Sequence, residues 1–295
     1  MSLTPALAAA LTTSTPNQQG LIVEVATGRH LTVAEFSRSL SANDILVFGE
    51  QHAVDESDPD SIVHQGHQIE LLKSLPKVNL GMEFLEYPKQ NFVDQYLLGQ
   101  MTDLDFQTAV GWGSNPFSLY KQQILAPVAG GGSTWAINMP REITKQISKQ
   151  GLGSLTPEQQ SFLPPHLSRG RALYFARFEE VMSGHATPEQ IENYFWAQST
   201  WDETMAWRTL LLISDPKTNK DYVTVIIVGA FHVEYGGGLP DRLKARILND
   251  WPNGNGPRVK TLVQMDLPNL EAKTIESALA PDPKYGLISD YVWVY

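Results

Sequence analysis

Two apolar runs of the same shape constrain this chain more than any other feature. Ile45-Leu46-Val47-Phe48 ends in Gly49-Glu50-Gln51-His52, and Val225-Ile226-Ile227-Val228 ends in Gly229-Ala230-Phe231-His232. A short run of large and β-branched apolar residues, without polar alternation, reads as a strand buried on both faces. Such strands belong in a largely parallel sheet with helices on either side. The closing glycine lacks a Cβ, so the chain can turn sharply and another group can approach the backbone. A histidine three residues on can then point back over the sheet edge. Most of the chain separates the two motifs, so only the fold can unite them.

Further strands are expected at residues 21–25, 78–84, 133–139, 259–267 and 291–295, with helical spacing between them. Thr32-Val-Ala-Glu35 is a capping box that opens a short helix to about Leu40. A helix from about Asp60 to Leu75 carries Ile62, Ile69 and Leu72 on one side. Residues 88–129 and 156–214 show helical spacing with aromatics such as Phe92, Tyr96, Phe175, Phe178, Phe195 and Trp207. Thr102 and Thr187 mark helix starts there, the second with proline in the first helical position. The pattern predicts an α/β fold with a mostly parallel central sheet flanked by helices and an inserted helical cap. Residues 1–19, rich in Thr, Ser, Pro and Gln, read as a mobile lead-in to one domain over 20–295. Its core would be about 20–86, 130–155 and 215–295, and its cap about 87–129 and 156–214.

A chain of 295 residues, 42% hydrophobic, can bury a full core. The formal net charge of −10 argues against a general nucleic-acid binder and against broad attachment to anionic lipid. The absence of cysteine removes disulfides, thiolate metal sites, iron–sulfur clusters and cysteine nucleophiles together. No apolar run approaches the ~20 residues that span a bilayer. The first residues lack a basic region and have too short an apolar core for a signal peptide. Gly130-Gly131-Gly132 and Gly236-Gly237-Gly238 read as turns, with neither a Walker lysine nor a dinucleotide pattern. No Gly-x-Ser-x-Gly elbow of a serine hydrolase is present.

Ligands of open α/β sheets bind outside the carboxyl ends of the strands. Four predicted strands end there in reactive groups: Glu50 with His52, Glu83, Asn138 with Arg141, and His232. Three chemistries are open to them. His52 and His232 with Glu50 or Glu83 suit a divalent metal such as Mn, Co or Zn. The same groups without metal form a general acid–base pair. Alternatively they line a polar pocket and orient one another. His64 and His67 share one helix face and are expected to be solvated, His64 being the better candidate. Asp55, Glu56, Asp58 and Asp60 read as a solvated loop, without the glycine and terminal glutamate of a calcium loop. Asp202 and Glu203 sit mid-helix, either reaching down to Arg141 or a histidine, or forming an ordinary exposed pair.

Together these motifs resemble the ChaN family of bacterial haem-binding uptake proteins. That family is grouped with the Tiki/TraB and erythromycin-esterase-like proteins. The resemblance rests on Gly49-Glu-Gln-His52, His64 with Gln68-Ile-Glu-Leu-Leu72, Gly81-Met-Glu-Phe84 and Gly111-Trp112. It continues through Ala136-Ile-Asn-Met-Pro-Arg-Glu142, Trp201-Asp-Glu-Thr-Met205, Gly229-Ala-Phe-His-Val-Glu-Tyr-Gly236 and Asp290-Tyr-Val-Trp-Val294. These run in family order over roughly residues 44–295. The resemblance implies a cell-envelope protein, periplasmic or attached to the outer membrane, with a role in haem or iron uptake. Family lipoproteins carry a lipobox cysteine, which this chain lacks, so any lipid anchor lies outside it. The implied ligand is haem, bound through tyrosine and shared across a homodimer. Tyr235 and Tyr120 are the candidate ligands and His64 the supporting histidine. The related Tiki proteins imply an alternative, a divalent-metal-dependent hydrolase. There His52 and His232 would bind metal, Glu50 or Glu83 would activate water, and Arg141 would stabilise developing negative charge.

Overall fold

In the computed structural model, which describes residues 20–218 and 221–295, the two apolar runs lie side by side at the centre of one sheet. The lead-in expected over residues 1–19 lies outside the described residues. The strands are β1 (Leu21–Glu24), β2 (Arg29–Leu31), β3 (Asp44–Glu50), β4 (Val78–Glu86), β5 (Thr134–Asn138), β6 (Val223–Gly229), β7 (Arg258–Met265) and β8 (Tyr291–Val294). Their order in the sheet is β2-β1-β8-β7-β3-β6-β4-β5. From β8 to β5 every neighbouring pair is parallel, while β1 runs antiparallel to β2 and β8. All seven residues of β3 are buried, as its unbroken apolar run requires.

The helices are α1 (Val33–Ser39), α2 (Pro59–Ser74), α3 (Gln90–Leu97), α4 (Asp103–Val110), α5 (Phe117–Leu125) and α6 (Arg141–Gln150). After these come α7 (Pro157–Gln160), α8 (Ala172–Met182), α9 (Pro188–Ser214), α10 (Leu239–Asp250) and α11 (Ala272–Ala278). Side chains alternate across a strand, so β3 feeds two cores. Leu46 and Phe48 join Phe36 of α1, Leu71 and Leu72 of α2, and Val93, Phe106 and Ile124 of α3–α5. Ile45 and Val47 join Met205, Ala206 and Leu210 of α9, Leu239 and Leu243 of α10, and Ile275 of α11. Burying each such large side chain contributes about 1.5–3 kcal/mol before the cost of ordering the chain.

The segments expected to form a cap take two courses. Helices α3–α5 cover the sheet beside α2. Helix α9, opened by the Thr187 capping box and Pro188, is 27 residues long and serves two layers. Its first half packs on α8 through Tyr174, Phe178, Ile191 and Phe195. Its second half lies on the sheet.

Helix α2 departs from its expected face. Ile62 is 46% exposed, whereas Ser61, Gln65, His67 and Gln68 are buried with Leu71 and Leu72. The physical reason is the neighbour: the first half of α2 crosses the carboxyl edge of the sheet, where a buried glutamate needs donors. His67 is correspondingly not solvated; it stacks on Trp293 with ring centroids 4.4 Å apart.

Candidate active site and binding cleft

Alternation along β3 sends Glu50 to the α2 face with Leu46 and Phe48, where it is 2% exposed. Four donors meet its carboxylate. Gln65 Nε2 lies at 2.8 Å, Gln68 Nε2 at 3.2 Å, the Tyr120 hydroxyl at 3.2 Å and His52 Nδ1 at 2.7 Å. A buried carboxylate stays charged only when its lone pairs are met in this way. Tyr120 is itself fully buried and accepts the Ala53 N–H at 2.9 Å. Burial, with the Glu50 charge beside it, pushes its phenol far above the ordinary value. Tyr120 therefore braces Glu50 from beneath, and the expectation that it ligates haem is corrected.

His52 is held by Nδ1, and its side chain remains 45% exposed. The Glu50 hydrogen bond raises its pKa, against the opposing effect of burial and with help from the Glu83 charge. The two motif glycines make room for each other's motif. A Cβ on Gly229 would stand 3.1 Å from His52 Cε1 and 3.3 Å from Nε2. A Cβ on Gly49 would stand 3.0 Å from Ala230 Cα and 3.2 Å from Val233 Cβ, in the turn after β6. Neither glycine is needed for its dihedral freedom at these positions; both are needed for contact.

On β4, Met82 and Phe84 face α2, so Glu83 faces the α9 side. Its Oε2 accepts the Gly229 N–H at 2.7 Å, and its Oε1 lies 3.6 Å from His232 Nε2. His232, in the short turn Ala230–His232, is 5% exposed. Its Nδ1 is 2.6 Å from Asp202 Oδ1, and the Gln198 amide lies 3.1 Å from the same ring nitrogen. Gln198 also donates to the Tyr174 hydroxyl at 2.9 Å. Burial alone would lower the His232 pKa, but the Asp202 and Glu83 charges and the Asp202 hydrogen bond outweigh it and hold it raised. The structure thus joins Glu50, His52, Glu83 and His232, with Asp202 added from α9. Of these, Glu50, His52 and His232 line a cleft of about 380 Å³, with Phe178, Val181 and Phe231 as its apolar wall, and Glu83 and Asp202 lie behind them.

Other expected residues lie elsewhere. Asn138 donates to the Glu83 carbonyl at 2.8 Å, stitching β5 to β4. Arg141 donates to the Gly111 carbonyl at 2.8 Å and pairs with buried Glu86, 3.9 Å away, so it faces neither histidine. His64 bonds the Tyr295 hydroxyl, and burial lowers its pKa. It does not line the cleft. Glu203 is buried, not exposed, and meets Arg246 at 2.9 Å and Ser168 at 2.7 Å. The acidic loop is exposed, with Asp58 capping α2 through Ser61. The divalent-metal centre is corrected too: among the described residues no three His, Asp or Glu side chains converge as metal donors. Each imidazole instead spends Nδ1 on its own carboxylate.

Tyr235 has φ 59°, a left-handed conformation uncommon for a non-glycine residue, and its N–H donates to the Ile288 carbonyl at 2.6 Å. Its ring lies 5.0 Å from the Arg177 guanidinium, which also covers the Phe231 ring at 4.2 Å. Its hydroxyl has no hydrogen-bond partner among the described residues. Burial raises its pKa, with Arg177 opposing. Gln65, Gln198, Tyr174 and Glu86 were missed in the sequence. Gln198 and Asp202 stand one helical turn apart, a polar pair on a buried face that only the packing of α9 identifies.

Residues 36–243 match the sequence profile of a family described as haem-binding uptake, Tiki superfamily, ChaN. No curated protein sequence matches the chain. Among solved structures, the fold is similar to ChaN of Campylobacter jejuni, described with cofacial haem binding. That match has 16% identity and a TM-score of 0.63, covering 95% of this chain and 98% of that one. The type III effector HopBA1 matches at 10% identity and TM-score 0.43, covering 89% and 92%. A mutant of the erythromycin esterase EreC in its open conformation matches at 11% and 0.45, covering 91% and 82%.

Proposed function

The chain belongs to the ChaN family of haem-binding uptake proteins in the Tiki superfamily, and on that premise we propose that it binds haem against the apolar wall of its cleft. The observation that carries this reading is the family match over residues 36–243, which spans both strand-end motifs, the cleft and its wall. The residues present suit the group. Phe178, Val181 and Phe231 offer an apolar wall, the two rings meeting edge to face. Tyr235 offers a hydroxyl with no hydrogen bond among the described residues; burial raises its pKa, and the neighbouring Arg177 guanidinium opposes that rise. A phenolate is a good ligand for ferric haem, which supplies the iron centre and the absorbance that reports it.

In this reading Tyr235 is the protein ligand and Phe231 and Phe178 exclude water from one face. The protein handles haem in the cell envelope for iron uptake, and two copies share the cofactor. Haem titration tests it, with a Soret change that saturates. Tyr235→Phe is expected to alter the ferric spectrum and weaken binding at least about tenfold, the effect of losing roughly 1.4 kcal/mol. A titration without any Soret change removes the haem reading. An unaltered spectrum in Tyr235→Phe removes Tyr235 as the ligand.

A further inference from the structure

We propose that the opposite edge of the sheet carries a second binding site, which takes a neutral pyranose sugar. A cavity of about 340 Å³ opens there, among the strand starts and the end of α9. Asn43 precedes β3, Asn79 and Thr224 are the second residues of β4 and β6, and Ser214 closes α9. Trp251 and Asn255 come from the turn between α10 and β7. From Thr224 the strand runs on to Gly229, about 17 Å at ~3.3 Å per residue, so this cavity is distinct from the cleft.

Asn79 and Thr224 are register partners on adjacent strands. Alternation turns both toward α9, on the face that Ile226 and Val228 fill further along with apolar side chains. They are buried, at 5% and 4% exposure. Asn79 Oδ1 accepts the Ser133 N–H at 3.1 Å, which leaves Nδ2 without a partner among the described residues, and the Thr224 hydroxyl has none there either. Burying an amide or a hydroxyl is costly unless something pairs with it, so this pair is fitted to a polar guest. Asn43 spends Nδ2 on the Gly256 carbonyl at 3.2 Å, which leaves its Oδ1 as an acceptor. Trp251 adds an indole, apolar on its faces and a donor at Nε1. None of the described lining residues is charged, so the cations that phosphate and carboxylate ligands call for are missing from the wall. No carboxylate or imidazole is among them, and the site binds without cleaving. A sugar hydroxyl donates and accepts at once, and a pyranose ring presents apolar C–H faces, which matches amides and hydroxyls set beside an indole. The volume lies at the low end of the ~300–1,000 Å³ of small-molecule sites and suits one ring.

The test is an NMR titration of the full chain with its seven tryptophan indoles isotope-labelled. D-glucose, D-galactose and N-acetyl-D-glucosamine are the probes. The Trp251 indole signal, identified by its loss in Trp251→Phe, is expected to shift and saturate with at least one of them. Thr224→Val keeps the branched shape of the side chain and should weaken that sugar about fivefold, the effect of one hydrogen bond. No saturating shift with any of the three overturns the proposal and leaves a cavity that holds water alone. Unchanged affinity in folded Thr224→Val overturns it as well. So does a larger shift with inorganic phosphate than with any sugar, because that requires a cation in the site. The Soret titration reads the cleft at the other edge of the sheet, so either proposal can fail alone.

Discussion

Burial against the Trp293 ring pushes the His67 imidazole down to about 4, and the neutral ring faces Gln264 Nε2 at 3.2 Å. The consequence for stability has a definite sign. The folded value lies below the unfolded value of about 6.5, so the folded state prefers the neutral ring. That preference is fully satisfied above about pH 6.5 and turns into a penalty as pH falls toward about 4. A difference of about 2.5 pH units corresponds to roughly 3 kcal/mol. His67→Phe keeps a ring on Trp293 without the titration. Its urea-unfolding free energy should therefore fall less steeply between pH 6.5 and 4 than that of the unaltered protein. Parallel pH profiles would show that His67 does not contribute. The same residue shows where sequence reasoning stopped. His-x-x-His at helical spacing indicates a shared face, but only the partner across the helix decides whether that face is wet.

At the scale of elements, the strands were legible because a run such as Val225–Val228 has one physical solution, burial on both sides. The helices were less so, and α2 shows why. Its isoleucines pointed to one face, yet the helix buries Gln65 and Gln68 because the end of β3 presents Glu50 there. Periodicity counts apolar residues and so misses a face whose partner is a charge. Gln65→Leu should cost about 1–3 kcal/mol, the effect of leaving a buried group short of a partner. Ile62→Ala, on the exposed side, should stay within about 0.5 kcal/mol. Equal losses in chemical denaturation would reverse this assignment of faces. Helix α9 is a second case. Its continuous length lets Gln198 and Asp202 reach His232 from a helix whose next turns rest on the sheet, so the site is built on a rigid core element.

At the scale of the whole molecule, haem that binds only the folded state stabilises it by mass action. The gain is about 2.7 kcal/mol at a free concentration one hundred times Kd. Saturating haem should raise the melting temperature, and Tyr235→Phe should reduce that rise at the same haem concentration. If two copies share the cofactor, light scattering should show the mass doubling on haem addition. A monomeric mass at saturation would remove the shared arrangement while leaving haem binding intact. The sequence alone determined the sheet, its two buried faces and the residues at its carboxyl edge, because strand periodicity and glycine placement are local properties. The tertiary structure decided the rest. Gly49-Glu50-Gln51-His52 and Gly229-Ala230-Phe231-His232 interlock, each motif filling the space left by the other's glycine. Glu50 and Glu83 end on opposite faces of the sheet, Glu50 meeting Gln65 of α2 and Glu83 meeting Gly229 and His232 at the end of β6. Arg141 and Tyr120, plausible by motif, are drawn away by Glu86 and Glu50. Such outcomes turn on which charge meets which donor across long sequence separations, and that competition is settled only when the layers pack.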